Sequence, residues 1–180
     1  MSRILLGAGA SVALYKACDL ASKLSQDGHR VRAVLTDRAA QLVSPQLFEA
    51  VTGEPAATDE FGPGRQGAMD HIELARWAEV LVVAPASADL VARLALGLGG
   101  DLLATVALAL PAHVPRLVAP AMNPNLLANP AVRRNLARML EDGWRLVEPE
   151  EGHMACGDEG RGRLAEPERI AAAVAAVLRG

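Results

Sequence analysis

Five short aliphatic runs, each closed by a small or polar segment and followed by a stretch of helical period, constrain this chain more than any other feature. They are Arg3–Gly7, Arg30–Leu35, Glu79–Ala84, Arg116–Ala119 and Trp144–Val147. The segments after them predict helices over Val12–Gln26, Asp37–Val43, His71–Ala78, Leu90 to about Gly97, Asp101 to about Leu110, Pro130–Glu141 and about Glu166–Leu178. Asp27-Gly28 is a helix stop, and Asn129-Pro130 is a helix start. Strand–helix alternation this regular predicts an α/β fold: a three-layer αβα, Rossmann-like, doubly wound parallel sheet. The 180 residues suit one domain, 1–180, with enough chain to bury a full core. Half the residues are hydrophobic (51%) but only 3% aromatic, so that core must be aliphatic.

Several function classes are excluded early. A net charge of 18 − 21 = −3 argues against a general nucleic-acid binder. The most apolar stretch, Leu102 to Val118, is interrupted by Pro111, His113 and Pro115 and is not a membrane span. Two distant cysteines give no disulfide framework and nothing resembles a signal peptide, so a cytoplasmic protein is the expectation. His153 and Cys156 have no second ligand pair at usable spacing, so no metal is expected.

In a parallel sheet the C-terminal ends of the strands form the ligand edge, and the unusual residues of this chain collect there. The first strand ends in Gly-Ala-Gly-Ala-Ser, Gly7 to Ser11, a turn that can point N–H groups of Gly9, Ala10 and Ser11 at a phosphate or simply enter a helix. Gly7 and Gly9 fit the start of a dinucleotide fingerprint, but the third position is Val12, which weakens a dinucleotide reading. Thr36 can bond a ligand or cap the next helix. Ser87, Ala88 and Asp89 follow the third strand, and Ala121, Met122 and Asn123 the fourth. Gly53 to Met69 reads as a long loop, functional or in contact with another subunit. Asp70 reads as an N-cap before His71, whose place at the positive helix end suits a neutral base, although a lone histidine is more often structural. Gly152 to Leu164 has four internal or leading glycines around Cys156, Arg161 and Arg163. It reads as a hinged flap over a reacting group, or as a solvated loop with an incidental thiol.

Taken in order, five motifs resemble the flavin-containing cysteine decarboxylases over nearly the whole chain. Gly-Ala-Ser-Val-Ala-Leu-Tyr-Lys resembles that family's FMN phosphate loop, and Asp70-His71-Ile72 its histidine segment. Pro85-Ala86-Ser87-Ala88 is similar to its flavin motif, Pro120-Ala121-Met122-Asn123 to its substrate motif, and Met154-Ala155-Cys156-Gly157-Asp158-Glu159-Gly160-x-Gly162-Arg163 to its substrate clamp. Asp89-Leu90 departs from the usual Asn-Thr, and the tryptophan usual after Met-Asn is missing. The resemblance implies a flavoprotein with bound FMN that decarboxylates 4′-phosphopantothenoylcysteine to 4′-phosphopantetheine in coenzyme A synthesis. It implies His71, Asn123 and Cys156 as catalytic residues. It implies a flavin site from Gly9, Ala10, Ser11, Thr36, Ser87, Ala88, Asp89, Ala121 and Met122, and substrate contacts from Asn123, Met154, Ala155, Cys156, Arg161 and Arg163. Arg161 and Arg163 pair with the substrate phosphate or merely solvate the flap. It also implies a homotrimer or homododecamer. The alternatives are a peptidyl-cysteine decarboxylase, a flavin prenyltransferase, or a non-catalytic FMN-binding regulatory subunit.

Overall fold

A computed structural model describes residues 1–60, 70–153, 157 and 159–179. In chain order the elements are β1 (Arg3–Ala8), α1 (Leu14–Gln26), β2 (Arg30–Leu35), α2 (Asp37–Ala40), α3 (Pro45–Thr52), α4 (Asp70–Trp77), β3 (Val80–Ala86) and α5 (Ala88–Leu96). They continue with α6 (Leu102–Ala109), β4 (Arg116–Pro120), α7 (Pro124–Ala128), α8 (Pro130–Glu141), β5 (Arg145–Leu146), β6 (Glu150–His153), β7 (Glu159–Arg163) and α9 (Pro167–Arg179).

Five strands form one parallel sheet in the order β2-β1-β3-β4-β5. Successive side chains alternate between its faces. Ile4, Leu6 and Ala8 of β1 and Val80, Val82 and Ala84 of β3 face one core, with α1, Phe48 of α3 and α9. Leu5, Leu81 and Val83 face the other, with α4, α5, α6 and α8. Strands buried on both faces read as continuous aliphatic runs, which is why they were visible in the sequence. The order reverses direction between β1 and β3, so the crevice at their C-terminal ends is the topological switch point where such sheets take ligands.

Several local expectations shift. The helix expected to run to Val43 stops at Ala40, where Thr36 caps it by accepting from Ala39 N–H at 3.2 Å. A separate helix, α3, follows, with Ser44 as N-cap and Pro45 in its first turn. The first long helix starts at Leu14, two residues later than expected, because Ser11 Oγ accepts from Ala13 N–H in the turn before it. Asp70 is the first residue of α4 rather than its cap. Gly152 to Leu164, too glycine-rich to read as regular structure, contains an antiparallel ribbon, β6 with β7. Of the long loop expected at Gly53–Met69, residues 61–69 lie outside the described residues.

Candidate active site

The switch point is built by close backbone approach. Gly9 N–H donates to Pro85 O at 2.9 Å across the crevice. A Cβ on Gly9 would sit 2.8 Å from that same carbonyl oxygen and 2.8 Å from Leu90 Cδ2, so only glycine lets β1 and the β3 end come this near. Beyond it, the N–H groups of Ala10, Ser11 and Val12 donate to no described residue. Three successive donors ahead of a helix are the set that an anionic phosphate satisfies. Ser87 caps α5 by accepting from Leu90 N–H at 3.3 Å, which leaves its hydroxyl proton to donate. Thr36 is buried, and its N–H donates to Ala8 O at 3.0 Å. Thr36, Asp37, Asp89, Arg93 and Asp101 line a recess of about 240 Å³ at this edge. There Asp89 pairs with Arg93 at 2.6 Å and Asp101 pairs with it too. Burial works against the guanidinium charge, but the two carboxylates win and hold Arg93 above its ordinary value.

A larger cavity of about 530 Å³ opens beside the start of α1. It is lined by Ala121, Met122 and Asn123 after β4, by Val12, Ala13, Tyr15 and Lys16 at the start of α1, and by His153, Gly162, Arg163 and Leu164 in and just after the ribbon. The ribbon is fastened to the first of these segments, since Met122 N–H donates to Gly162 O at 3.0 Å. A Cβ on Gly160 would come within 3.1 Å of Pro124 Cγ, so the ribbon lies flat on the segment after β4. Asn123 caps α7, its Oδ1 accepting from Asn125 N–H at 2.8 Å.

Lys16 closes the Gly9–Lys16 stretch likened to a phosphate loop, but sequence reasoning missed the part the residue takes in the cavity lining. Its side chain is only 8% exposed, and its Nζ donates to Glu166 Oε1 at 2.7 Å and to Leu164 O at 3.3 Å. A signal was present. Lys16 falls three residues after Ala13 and four before Leu20, on the apolar stripe of α1, where an unexplained lysine is rare.

The two arginines of the clamp part company. Glu150 pairs with Arg163 but Glu151 with Arg161, so Gly162 is an extra residue in β7. That bulge cancels the alternation that would put residues 161 and 163 on one face. Arg163 lines the cavity, reaching Glu166 at 3.4 Å. It lies across Gly152, where a Cβ would stand 2.7 Å from Arg163 Nη1. Arg161 points to the outer side, pairing with Glu148 at 2.5 Å. His71 is not among the residues lining the cavity. It is the second residue of α4, on the other face of the sheet from α1, with its Nδ1 against the carboxylate of Glu60. Met154, Ala155 and Cys156 lie outside the described residues.

This geometry has relatives. The coenzyme A biosynthesis bifunctional protein CoaBC of Bacillus subtilis (strain 168) is 42% identical over 167 residues, covering 93% of this chain and 41% of that protein. The same-named protein of Escherichia coli (strain K12) is 39% identical over 165 residues, covering 92% of this chain and 40% of that protein. The chain thus spans about two fifths of the length of these curated relatives. Among solved structures, a cysteine-to-serine mutant of PPC decarboxylase complexed with pantothenoylaminoethenethiol superposes with a TM-score of 0.86 at 33% identity, covering 99% of both chains. The FMN-dependent cysteine decarboxylase SpaF superposes with a TM-score of 0.83 at 32% identity, covering 99% of this chain and 97% of that one. A family model described as flavoprotein matches residues 1–179, and with the switch-point crevice and its unpartnered N–H groups this leads to one conclusion: the chain belongs to the flavoprotein family.

Proposed function

We propose that this chain is an FMN-dependent phosphopantothenoylcysteine decarboxylase, which releases CO₂ from 4′-phosphopantothenoylcysteine to give 4′-phosphopantetheine. The observation that carries the proposal is the 530 Å³ cavity, with an amide, Asn123, and the cations Lys16 and Arg163 in its lining. A substrate with a carboxylate at one end and a phosphate at the other needs such a set, and the volume falls in the usual range for small-molecule sites. Kinship over nearly the full chain to a PPC decarboxylase supports the same reading.

FMN would be held at the β1/β3 edge by Gly9, Ala10, Ser11, Thr36, Ser87, Ala88, Asp89, Ala121 and Met122. The chemistry bound FMN supplies is reversible two-electron storage, which lets the cysteine CH₂–SH become an electron sink while CO₂ leaves and then be restored. The chain's own residues do the rest. Asn123 binds the carboxylate through its –NH₂, a neutral contact that does not oppose loss of charge. Lys16 and Arg163 receive the phosphate. His71 holds or moves a proton. Cys156 donates the proton that returns the thiol product to its saturated form; an ordinary thiol, pKa about 8.5, is protonated at neutral pH. Met154 and Ala155 contact the substrate beside it in the reaction, and Arg161, paired with Glu148, stays on the outer side of the ribbon.

We also propose a homo-oligomer, a trimer or a dodecamer, working in the cytoplasm. Val12 and Tyr15 at the cavity mouth are 72% and 66% exposed. His71 stands away from this chain's own cavity, so a second copy is the natural source of a histidine and of cover for the mouth. Among the described residues no helix is long and apolar enough to cross a membrane.

The test is a visible spectrum of the purified protein, then incubation with phosphopantothenoylcysteine and mass analysis. A flavin spectrum and loss of one CO₂ with no net oxidation are expected, and Cys156→Ser should stop at a product two hydrogens short. A protein that takes up no FMN, or full saturated product from Cys156→Ser, defeats the proposal. Turnover of a peptide ending in cysteine, with none of the phosphopantothenoyl substrate, would favour the peptidyl-cysteine decarboxylase reading instead.

A further inference from the structure

We propose that a separate cavity, on the outer side of the ribbon where Arg161 points, binds an amphipathic anion: a carboxylate head on an aliphatic body. The cavity measures about 470 Å³ and shares no lining residue with the one assigned to the decarboxylase substrate, so the site stands independently of that reading. It follows from two abrupt stops in the chain. Helix α7 ends at Ala128 and α8 begins at Pro130, so Asn129 alone joins them. Its backbone is extended, with φ −58° and ψ 130°, and its Oδ1 caps α8 by accepting from Ala131 N–H at 2.9 Å. On the sheet side, β5 is an edge strand that ends at Leu146, and Pro149 beyond it has no N–H to prolong the ladder. Leu127 of α7, Leu136 of α8 and Leu146 of β5 pack against the second core but are only half-buried. Their remaining surface lines the cavity, together with Pro124 and Pro149.

The charged groups in this lining are Arg133, Glu148 and Arg161. Arg161 Nη2 donates to Glu148 at 2.5 Å, which leaves most of its donors unused. The guanidinium of Arg133 makes no ion pair or hydrogen bond among the described residues. Two guanidinium groups against one carboxylate leave one positive charge over. A carboxylate matches that excess and the planar guanidinium fork. A phosphate monoester, at about −1.5 to −2, overshoots it. An apolar ligand would leave the charge unanswered and a bare anion would leave the leucines wet, whereas one molecule with both parts satisfies both. The site also gives Arg161 a place, since the Gly162 bulge turns it away from the decarboxylase cavity.

The test titrates octanoate into the FMN-loaded protein and follows its own methylene signals by saturation-transfer NMR. Saturable binding is expected, with octanol and inorganic phosphate each about tenfold weaker or more. Arg133→Gln should weaken octanoate about tenfold, and Glu148→Gln, which frees the Arg161 fork, should tighten it about threefold or more. Flavin absorbance per chain checks that each variant is folded, and Arg133→Gln should decarboxylate as the wild type does. Saturating 4′-phosphopantetheine should leave octanoate bound. The inference is overturned by no saturable binding, by octanol binding as tightly as octanoate, or by an affinity that Arg133→Gln leaves unaltered. Displacement of octanoate by 4′-phosphopantetheine would place it in the decarboxylase cavity and overturn the inference equally.

Discussion

Under the proposed function Asn123 has two duties, one already observed in the fold and one assigned to it at the substrate. Its oxygen caps α7, accepting at 2.8 Å from Asn125 N–H, and of the two ends of the amide only the –NH₂ can donate to a carboxylate. Asp is as good a cap as Asn, which separates the duties experimentally. Asn123→Asp should fold normally and retain FMN while losing decarboxylation on the order of a hundredfold or more, by removal of the donor and addition of a like charge. CO₂ release under single-turnover conditions measures it, and a near-wild-type rate would refute the assignment. The place of Asn123 at the ligand edge was legible in the sequence because it follows a strand in a parallel sheet. Arg161 and Arg163 were not separable there, since two residues apart in a strand ordinarily means one shared face. Only the Gly162 bulge sends them to opposite sides. Lys16 was hidden for the opposite reason: among helix lysines, burial is the exception.

At the scale of elements, the ribbon β6–β7 is tied to the sheet edge and to α1 by different means. Met122 N–H to Gly162 O fastens it to β4's trailing segment. Lys16, through Leu164 O and Glu166, fastens its exit to α1, and Glu166 N–H in turn donates to Glu150 Oε1 at 3.2 Å, at the ribbon's entrance. Lys16→Met keeps the buried stem and deletes the charge. Glu166, whose side chain is 45% exposed, can hydrate in its absence, so the expected cost is only about 1 kcal/mol in urea unfolding. The larger effect belongs to the phosphorylated substrate, whose KM should rise about tenfold or more while that of the dephosphorylated analogue changes little. Equal effects on the two would mean that Lys16 serves the ribbon alone. Short elements were the least legible. The signals for α3 were present, Ser44-Pro45 at its start and a left-handed Gly53 with φ 68° at its end, but eight residues give too little periodicity to outweigh the loop-like surroundings.

The whole molecule was the most legible level, because doubly buried parallel strands announce themselves as aliphatic runs and fix the ligand edge without any side-chain detail. What the alternation does not specify is which face each candidate residue takes: Lys16 and Asn123 line one cavity beside α1, whereas His71 stands with α4 on the other face. On that second face Glu54 ties β2 to α4, bridging Arg30 and Arg32 of β2, which in turn stack on Trp77 of α4. Burial pushes its carboxyl up, but hydrogen bonds and charge from Arg30 and Arg32 outweigh that and hold it below its ordinary value of 4.5. A carboxyl depressed by folding contributes stability that is complete above its unfolded value and is lost as pH falls through the folded one. Glu54→Gln should therefore cost on the order of 1 kcal/mol at pH 7. The gap between variant and wild type should close as the pH drops below about 4.5, toward and through the depressed value. Urea midpoints across that range give the measurement. A gap that stays constant with pH would show that Glu54 acts through packing and not through its charge.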